Sequence, residues 1–328
     1  MQEQVDNYRS NLSVLDSGNR ADSRYRVQGC PRRYPAFFMS KDKMLDTKTR
    51  NAIAESLVIE IDEYSDKTLS DTEPRRHLGA SIIGKPCSRE LYYGFRNFVA
   101  PDFSSATRHN GQVMRLFQRG HQEEPRVLEY LTGIGCVCKF TPEDQQRVTD
   151  VSGHFGGSLD NIIKLPPKYG IDEDILLEIK TSNEAEFIKT RKLGFKSVKP
   201  VHWSQVCVYG YKMQLRYCLY LMVNKNTDAI HIELVETDLD YGEMMVDKAA
   251  SIITALEPPP KIAMVETNFA CKWCSFKSVC HNGAEPLKHC KSCVHSVPLE
   301  MGKWGCGLYG EIPEHILPIG CESYQAIK

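Results

Sequence analysis

Two acidic side chains and a lysine occur in a pattern that could bind a divalent cation. Asp160 ends the segment HFGGSLD, and Glu178 and Lys180 lie two residues apart in the apolar segment DILLEIKT. If the two segments pair as a hairpin, residue 169 in the LPPKYG turn is midway between the acids, so their Cβ atoms should lie ~5 Å apart. Residues two apart on a strand share a face, so Lys180 joins the acids while Ile179 points to the apolar side.

Facing carboxylates suit a hard cation such as Mg²⁺ or Mn²⁺. Such an ion polarises a phosphoryl oxygen and activates water, and a lysine beside it can orient that water or neutralise charge on a phosphate. The same pattern is also typical of a solvated strand face with an ordinary ion pair. Neighbouring motifs are therefore needed to choose between the two interpretations.

Three neighbouring motifs favour a metal site. His121 and Glu124 in RGHQEEP are three residues apart, so they share a helix face and could complete the site. Gln205 and Tyr209 are four apart on a predicted helix after the hairpin. A basic run without acids predicts a track for phosphates and contains Lys189, Arg191, Lys192, Lys196 and Lys199. A half-buried histidine, a core tyrosine and a solvated charged face are the simpler alternatives.

The thirteen cysteines indicate metal binding rather than disulfides. The number is odd and the N-terminal residues lack the apolar stretch of a secretory signal, which predicts a cytoplasmic chain. Seven cysteines crowd between Cys271 and Cys321, and Cys87 stands alone upstream. The remaining five are expected to be ordinary thiols: Cys30, Cys136, Cys138, Cys207 and Cys218.

Composition excludes several classes of protein. The chain has 328 residues, with 41 Lys+Arg, 42 Asp+Glu and a net charge of −1. This balance argues against a globally basic nucleic-acid coat but leaves room for a local basic groove. No run approaches the roughly 18 apolar residues of a membrane span.

The elements that must position these residues alternate between helices and strands. Apolar spacing predicts helices over Asn51–Tyr64, from near Cys87, over Gln112–Tyr130 with a kink or restart at Pro125, over about Ser204–Gln214, and from a Thr237 cap to the prolines at 258–260. Strands are predicted in HFGGSLDNIIKL, DILLEIKT, CLYLMVN and AIHIELVE. Helices flanking a central sheet make the fold α/β or α+β.

The motif order resembles a known superfamily. G-x-L-D, then E-x-K, then Q-x-x-x-Y, preceded by the helix with GHQEEP, resembles the PD-(D/E)XK nucleases in their RecB-like branch. The specific match is to the CRISPR-associated RecB-like exonucleases and their phage-encoded relatives, because CSRELYY and CKWCSFKSVC resemble the motifs that hold their [4Fe–4S] cluster. The resemblance extends roughly from Gly79 to Cys280. Asp160 lies in SLD instead of following a proline, a departure that the superfamily tolerates.

The resemblance implies a RecB-like core with a central mixed sheet flanked by helices. It implies a site made of the Mg²⁺ or Mn²⁺ ligands His121, Asp160 and Glu178 with the carbonyl oxygen of Ile179, the catalytic Lys180, and Gln205 and Tyr209 near the DNA and the active site. The acid before proline in GHQEEP also resembles YqaJ-type viral recombinases, which adds Glu124 as a supporting ligand.

The implied activity is a metal-dependent DNA exonuclease of recombination, repair or phage DNA processing, acting at DNA ends or in single strands. It would bind the DNA backbone without reading sequence. An endonuclease of repair or defence and a non-catalytic DNA- or protein-binding adaptor on the same fold stay open as alternatives. A homo-oligomer and a recombination or replication partner protein are compatible with the role.

Two cysteine groups are expected. The resemblance assigns Cys87, Cys271, Cys274 and Cys280 to a [4Fe–4S] cluster, with zinc as the alternative metal. The second group has the order C-x2-C-x12-C-x14-C, which is close to a zinc-ribbon-like site made of Cys290, Cys293, Cys306 and Cys321.

Alternatives remain for the second group. His289 and His295 are further candidate ligands, and Cys290 could instead join the trio at 271–280 and leave Cys87 a buried thiol. The expected division is a polar arm over 1–50, a nuclease core over 51–285, and a small C-terminal Cys-rich zinc module over 286–328. The module is expected to cap the core, with DNA or protein binding as the alternative.

Overall fold

The computed structural model describes residues 46–69, 76–100, 110–141 and 144–328. The chain divides into residues 1–54 and 55–328. In the first unit the described residues comprise only the beginning of helix α1 (Thr47–Leu69). Most of the expected polar arm, together with Cys30, lies outside the described residues. None of the described helices is long and apolar enough to cross a membrane.

The predicted helices are present, with altered bounds. The helix that begins near Cys87 is confirmed, because Cys87 is its N-terminal capping position. After α1 the helices are α2 (Ser88–Phe95), α3 (Asn110–Gly133), α4 (Glu184–Leu193), α5 (Phe195–Val198), α6 (Pro200–Met213), α7 (Leu239–Thr254), α8 (Phe269–Lys272) and α9 (Lys277–Asn282).

The predicted restart at Pro125 and the predicted Thr237 cap were wrong, whereas the kink at Pro125 stays a prediction. Helix α3 continues through Pro125 without a restart; the proline lies on the exposed side of the helix, where water can satisfy the carbonyl that loses its amide partner. Helix α7 is capped by Asp238, whose carboxylate accepts the Tyr241 N–H at 2.9 Å. The hydroxyl of Thr237 instead donates to the Leu215 carbonyl at 2.6 Å.

The central sheet is mixed, as predicted. Its five strands run in the order β2 (Val137–Cys138), β5 (Asn161–Lys164), β6 (Ile175–Ser182), β7 (Tyr217–Asn224) and β8 (Ile230–Glu236). Only β6 and β7 are parallel in this sheet. There are also two three-stranded sheets among the described residues. One contains β1 (Leu78–Gly79), β3 (Arg147–Asp150) and β4 (Phe155–Ser158). The other contains β9 (Ser296–Pro298), β10 (Trp304–Cys306) and β11 (Gly310–Ile312).

The register of the β5–β6 hairpin confirms the pairing expected from the sequence. Asn161 lies opposite Leu177, so the same register places Asp160 opposite Glu178. The segment HFGGSLDNIIKL is not one strand, however. It forms β4 in one sheet and β5 in another, and Asp160 lies at the break between them.

The two faces of the central sheet are covered by different helices. On one face Val127 and Leu128 of α3 pack with Ile179 and other strand residues, which confirms that Ile179 points to an apolar side. The other face forms the larger core, with contributions from α2, α6 and α7. Helix α6 is buried over eight consecutive residues, from Trp203 to Gly210. This explains why it carries no single apolar stripe.

The C-terminal cysteine-rich segment belongs to this larger core. Trp304 is 1% exposed, and its ring centre lies 5.2 Å from that of Phe95. The guanidinium of Arg96, which is fully buried, lies 5.4 Å from the Trp304 ring and donates to the carbonyl oxygens of Lys291 and Ala255 at 3.1 and 3.0 Å. The segment is therefore anchored to the end of α2 through a buried cation and its acceptors.

Candidate active site

Asp160 is fixed at the junction of the two sheets. Its Oδ2 accepts the backbone N–H of Ile179 at 2.6 Å. A side-chain oxygen thereby satisfies an amide just beyond the end of the β5–β6 ladder, and the carboxylate is held against β6. Removal from water raises the pKa of Asp160, while the nearby Lys180 ammonium opposes that shift.

Glu178 is a buried carboxylate with too few partners. Its side chain is fully buried, and the Lys180 ammonium contacts Oε1. Within the described part of the chain, Oε2 accepts no hydrogen bond. Burial raises the pKa of Glu178 to about 7; the ammonium opposes this shift, and the negative charge of Asp160 adds to it. A buried carboxylate oxygen without a donor beside a second acid is the environment that a cation would stabilise.

Lys180 projects from the same face of β6 as Glu178, as predicted, and about a quarter of its side chain is exposed. Burial lowers the pKa of Lys180 because it disfavours the charged ammonium. The negative charges of Glu178 and Asp160 have the larger opposite effect, so the pKa of Lys180 is raised. The side chain therefore stays protonated and reaches the rim of the site.

Helix α3 brings a third acid to this face. The carboxylate of Glu124 accepts a hydrogen bond from Gln145 Nε2 at 2.8 Å, and His121 Nδ1 lies 3.5 Å from its Oε1. Burial and then the charge of Asp160 raise the pKa of Glu124. The side chain of His121 is 79% exposed, which puts it at the outer edge of the site.

The structure thus gathers Glu124, Asp160, Glu178 and Lys180, with His121 at the edge. Across the described ranges, no three acid, histidine or cysteine side chains already converge on one ion position. The donor set is nevertheless carboxylate oxygen with one imidazole, which suits a hard or borderline divalent cation. The role of the Ile179 carbonyl oxygen stays a prediction.

Gln205 and Tyr209 lie beneath the site and not on its surface. Both side chains are buried, with Gln205 Nε2 3.5 Å from Tyr209 Oη. The tyrosine hydroxyl donates to the Ser158 carbonyl at 3.0 Å, at the end of the strand that leads into Asp160. A Cβ at Gly157 would lie 2.3 Å from that hydroxyl, which explains the glycine of G-x-L-D. This geometry suits positioning of Asp160 better than contact with DNA.

Sequence inspection missed a tyrosine and a histidine beside the lysine. Tyr220 lies opposite Glu178 in the β6–β7 ladder, and its hydroxyl is 2.8 Å from His202 Nδ1. Burial, Lys180 and Lys199 lower the pKa of His202 to about 3, so its imidazole is neutral at pH 7. Finding Tyr220 required the parallel register, and no motif spacing signals it.

The basic run occupies α4, α5 and the turn before α6. Its exposed members are Lys189, Arg191, Lys192 and Lys196. Lys199 pairs with Glu186 and is close enough to His202 to influence its pKa. One end of the run therefore lies near the candidate site.

Four cysteines line one cavity. Cys87, at the start of α2, and Cys271, Cys274 and Cys280, around α8 and α9, are among the residues that line a small cavity. Burial raises the pKa of Cys274 to about 11, and Cys87 and Cys280 add to the shift. The cavity joins the N-terminal part of the core to the segment that follows α7.

The other four cysteines form a separate group. Burial and then the neighbouring thiols of Cys321, Cys293 and Cys306 raise the pKa of Cys290. The Gln325 N–H donates to Cys293 Sγ at 3.5 Å, an arrangement found around metal-bound thiolates. Cys290 therefore lies with the late cysteines, and Cys87 lies with the trio.

The candidate ligand His289 is engaged elsewhere. Its Nδ1 accepts the Lys291 N–H at 3.0 Å, and its Nε2 lies 3.3 Å from Asn97 Nδ2. Both ring nitrogens thus have partners within the protein. His295 is half-buried.

No protein-family model and no curated protein matches the chain. Among solved structures, LHK-Exo in complex with dAMP is similar at 18% identity and a TM-score of 0.39, covering 54% of this chain and 86% of that chain. The protein SSO0001 is similar at 17% identity and a TM-score of 0.39, covering 70% and 96%. An alkaline exonuclease, LHK-Exo from Laribacter hongkongensis, is similar at 16% identity and a TM-score of 0.39, covering 55% and 87%.

Proposed function

We propose that this protein is a Mg²⁺- or Mn²⁺-dependent deoxyribonuclease with a RecB-like PD-(D/E)XK core. The observation that carries the proposal is the β5–β6 hairpin, in which Asp160 faces a fully buried Glu178 with the Lys180 ammonium beside it; one oxygen of Glu178 has no donor among the residues that the structure describes. Three acids and a single lysine leave excess negative charge in a buried place. A bound divalent cation would offset that charge.

Each residue then has a distinct role. Asp160 and Glu178 hold the cation, and Glu124, His121 and the carbonyl oxygen of Ile179 complete its ligands. The cation supplies charge neutralisation at the phosphate and lowers the pKa of a water molecule. Lys180 stabilises negative charge that develops on the phosphoryl oxygens. Gln205 and Tyr209 hold the strand that presents Asp160.

DNA is the proposed substrate because the motif order of a nuclease superfamily coincides with a site of this chemistry. The exposed lysines and arginine of α4 and α5 offer charges for phosphates without a means of reading bases. The action is proposed to be exonucleolytic, at ends or in single strands, and to serve recombination, repair or phage DNA processing.

Digestion of matched DNA forms tests the proposal. We expect Mn²⁺- or Mg²⁺-dependent release of nucleotides from linear DNA, linear single strands included, and no nicking of covalently closed circles of the same sequence. Gel electrophoresis of the circle and scintillation counting of acid-soluble label from the linear form are the measurements. Nicked circles would show that the protein is an endonuclease and not an exonuclease. Retained DNA binding without any cleavage would leave only a non-catalytic adaptor.

Two metal centres are proposed outside the active site. The cavity lined by Cys87, Cys271, Cys274 and Cys280 has four thiols from two distant parts of the chain, which supports a [4Fe–4S] cluster that joins α2 to the region of α8 and α9. The late cysteine group supports one structural Zn²⁺.

Replacement of Cys87 separates the two centres. We expect Cys87→Ser, purified without oxygen, to lose the roughly four irons of the wild type while it keeps about one zinc. The reason is that Cys87 alone supplies the cavity's thiol from α2. The measurement is metal content by mass spectrometry together with visible absorption. Cys138→Ser, at a half-buried thiol outside both groups, should keep both metals.

Two outcomes would contradict this assignment. Iron retained at wild-type level in Cys87→Ser would remove Cys87 from the site. A wild-type protein with about two zinc ions and no iron would replace the cluster by zinc.

A further inference from the structure

Two large aromatic side chains lie almost entirely in water beside the first cysteine group. Phe269, in α8, is 87% exposed and Trp273, the residue that ends α8, is 79% exposed. The other two tryptophans, Trp203 and Trp304, are buried. Phe269 and Trp273 are four residues apart around one helical turn, so their rings project to the same side. We call this pair the aromatic platform.

Two lysines lie beside the platform or in the adjoining cleft. The Lys272 ammonium lies 5.2 Å from the centre of the Trp273 ring. Lys272 and Lys277 line a cleft together with Glu266 and Thr267. Glu266 is the single acid between residues 258 and 284, a segment that holds three lysines. The partner of the platform should therefore be an anion that also presents flat apolar surface.

The exposure of these rings is not explained by the fold itself. Burial of large aromatic side chains is a major source of stability in proteins, and the fold leaves it unused at both positions. An apolar protein partner would not require the lysines. Single-stranded nucleic acid offers both halves of the match, because unpaired bases expose their π faces and the adjoining phosphates carry negative charge. A duplex hides the faces of its bases except at the ends.

We propose that the aromatic platform stacks unpaired bases of single-stranded DNA while Lys272 and Lys277 contact the neighbouring phosphates. This inference rests on the proposed function, in which DNA is the substrate, and deepens it by naming single-stranded DNA as the form that the protein holds. Trp273 lies between Cys271 and Cys274 in the sequence. The conformation of the platform is therefore tied to the cysteine cavity.

Trp273 provides its own probe, because it is the only exposed tryptophan of the three. Titration with oligo(dT), without added divalent ions and in an Asp160→Asn background that cannot cut it, should quench tryptophan fluorescence. Trp273→Phe should remove the quenching yet bind a labelled oligo(dT) within about twofold, since phenylalanine also stacks. Phe269→Ala/Trp273→Ala should weaken binding by about fivefold to a hundredfold, as measured by fluorescence anisotropy.

Matched variants separate stacking from general effects. Phe269→Leu/Trp273→Leu keeps apolar side chains without flat rings and should bind as weakly as the alanine pair. Tyr169→Ala is the control: this exposed tyrosine has Lys168 5.1 Å from its ring centre, lies in the hairpin turn and does not line the cleft of Lys272 and Lys277. It should bind like its parent. Metal content and melting temperature are measured for every variant. If both are equal in all of them, a weaker affinity cannot come from loss of the cysteine site or of the fold.

Three results would overturn the inference. The first is no quenching by oligo(dT) in Asp160→Asn, and the second is an unchanged affinity for oligo(dT) in Phe269→Leu/Trp273→Leu. The third is a loss of affinity in Phe269→Ala/Trp273→Ala that is equal for a blunt duplex and for a single strand. The digestion experiment is independent of these measurements. If the wild type cleaves DNA but the platform variants bind oligo(dT) as tightly as Asp160→Asn does, only the inference about the platform is wrong. If oligo(dT) quenches the fluorescence but the wild type cuts no DNA, only the proposed nuclease activity is wrong.

Discussion

Asp160→Asn should lower the rate of DNA cleavage by about a thousandfold or more, while DNA is bound within about twofold of the wild type. The change removes one of the two facing carboxylates, and so one of the three negative charges that are proposed to hold the cation. DNA binding should persist because the exposed basic residues of α4 and α5 remain. Single-turnover cleavage of end-labelled DNA in Mn²⁺ measures the first effect, and anisotropy with a labelled strand measures the second.

The same variant should keep its fold. Asparagine offers an oxygen that can still accept the Ile179 N–H, which Asp160 Oδ2 now accepts at 2.6 Å. It also relieves the repulsion that Asp160 exerts on Glu178 and Glu124. In the absence of divalent ions the melting temperature should therefore equal or exceed that of the wild type. Added Mn²⁺ should raise the melting temperature of the wild type but not of Asp160→Asn.

Asp174→Asn is the matched control. Asp174 lies directly before β6 in the same hairpin and pairs with Lys139, far along the strand from Glu178. Its replacement should leave both cleavage and the Mn²⁺-dependent rise in melting temperature unchanged. Wild-type activity in Asp160→Asn would show that the facing carboxylates are not the catalytic metal site.

The hairpin is the part of the site that the sequence predicts best. Its register follows from two apolar segments and the turn between them, and a slip by one residue would exchange the two faces, moving Glu178 and Lys180 into the apolar layer and Ile179 out of it. The helix that starts at Cys87 follows from local spacing in the same way. These predictions need only neighbouring residues, which is why they succeed.

Other parts of the site depend on contacts between distant segments. Tyr220 faces Glu178 only because β7 pairs parallel to β6, after a crossover through α4, α5 and α6. The burial of Tyr209 depends on Gly157, 52 positions earlier in the chain, whose missing side chain makes room for its hydroxyl. The sequence shows Gln205 and Tyr209 at helical spacing but cannot show which surface covers them.

The C-terminal segment is the largest departure from what local patterns reveal. Its cysteine spacing suggests a small zinc module over 286–328 that caps the core. Trp304 and Ile327, however, belong to the same core as α2, α6 and α7, and Arg96 donates to the segment from within that core. A metal centre in this segment would therefore support a shared core as well as its own loops.

This arrangement predicts a large, cooperative loss of stability when the late cysteine group is disrupted. Cys290→Ser/Cys293→Ser should lower the melting temperature by about 20 °C or more, because structural zinc contributes on the order of 10 kcal/mol or more to the folding of small sites, and ~1 kcal/mol corresponds to ~2–4 °C in a unit of this size. Zinc content should fall by about one per chain while iron is retained. Calorimetry and metal analysis are the measurements, and Cys138→Ser should behave as the wild type.

The shape of the unfolding transition distinguishes a shared core from a separate module. Loss of the metal should leave Trp304 and Arg96 without the ordered loops that cover them, so the unit should unfold in a single transition at the lower temperature. A variant whose main transition stays at the wild-type temperature, with only a small additional transition below it, would show that the segment folds on its own. The buried guanidinium of Arg96 donates hydrogen bonds to Lys291 and Ser296 as well as to Ala255. If the segment alone melted, this buried cation would lose two of its acceptors. This is the physical reason to expect one transition.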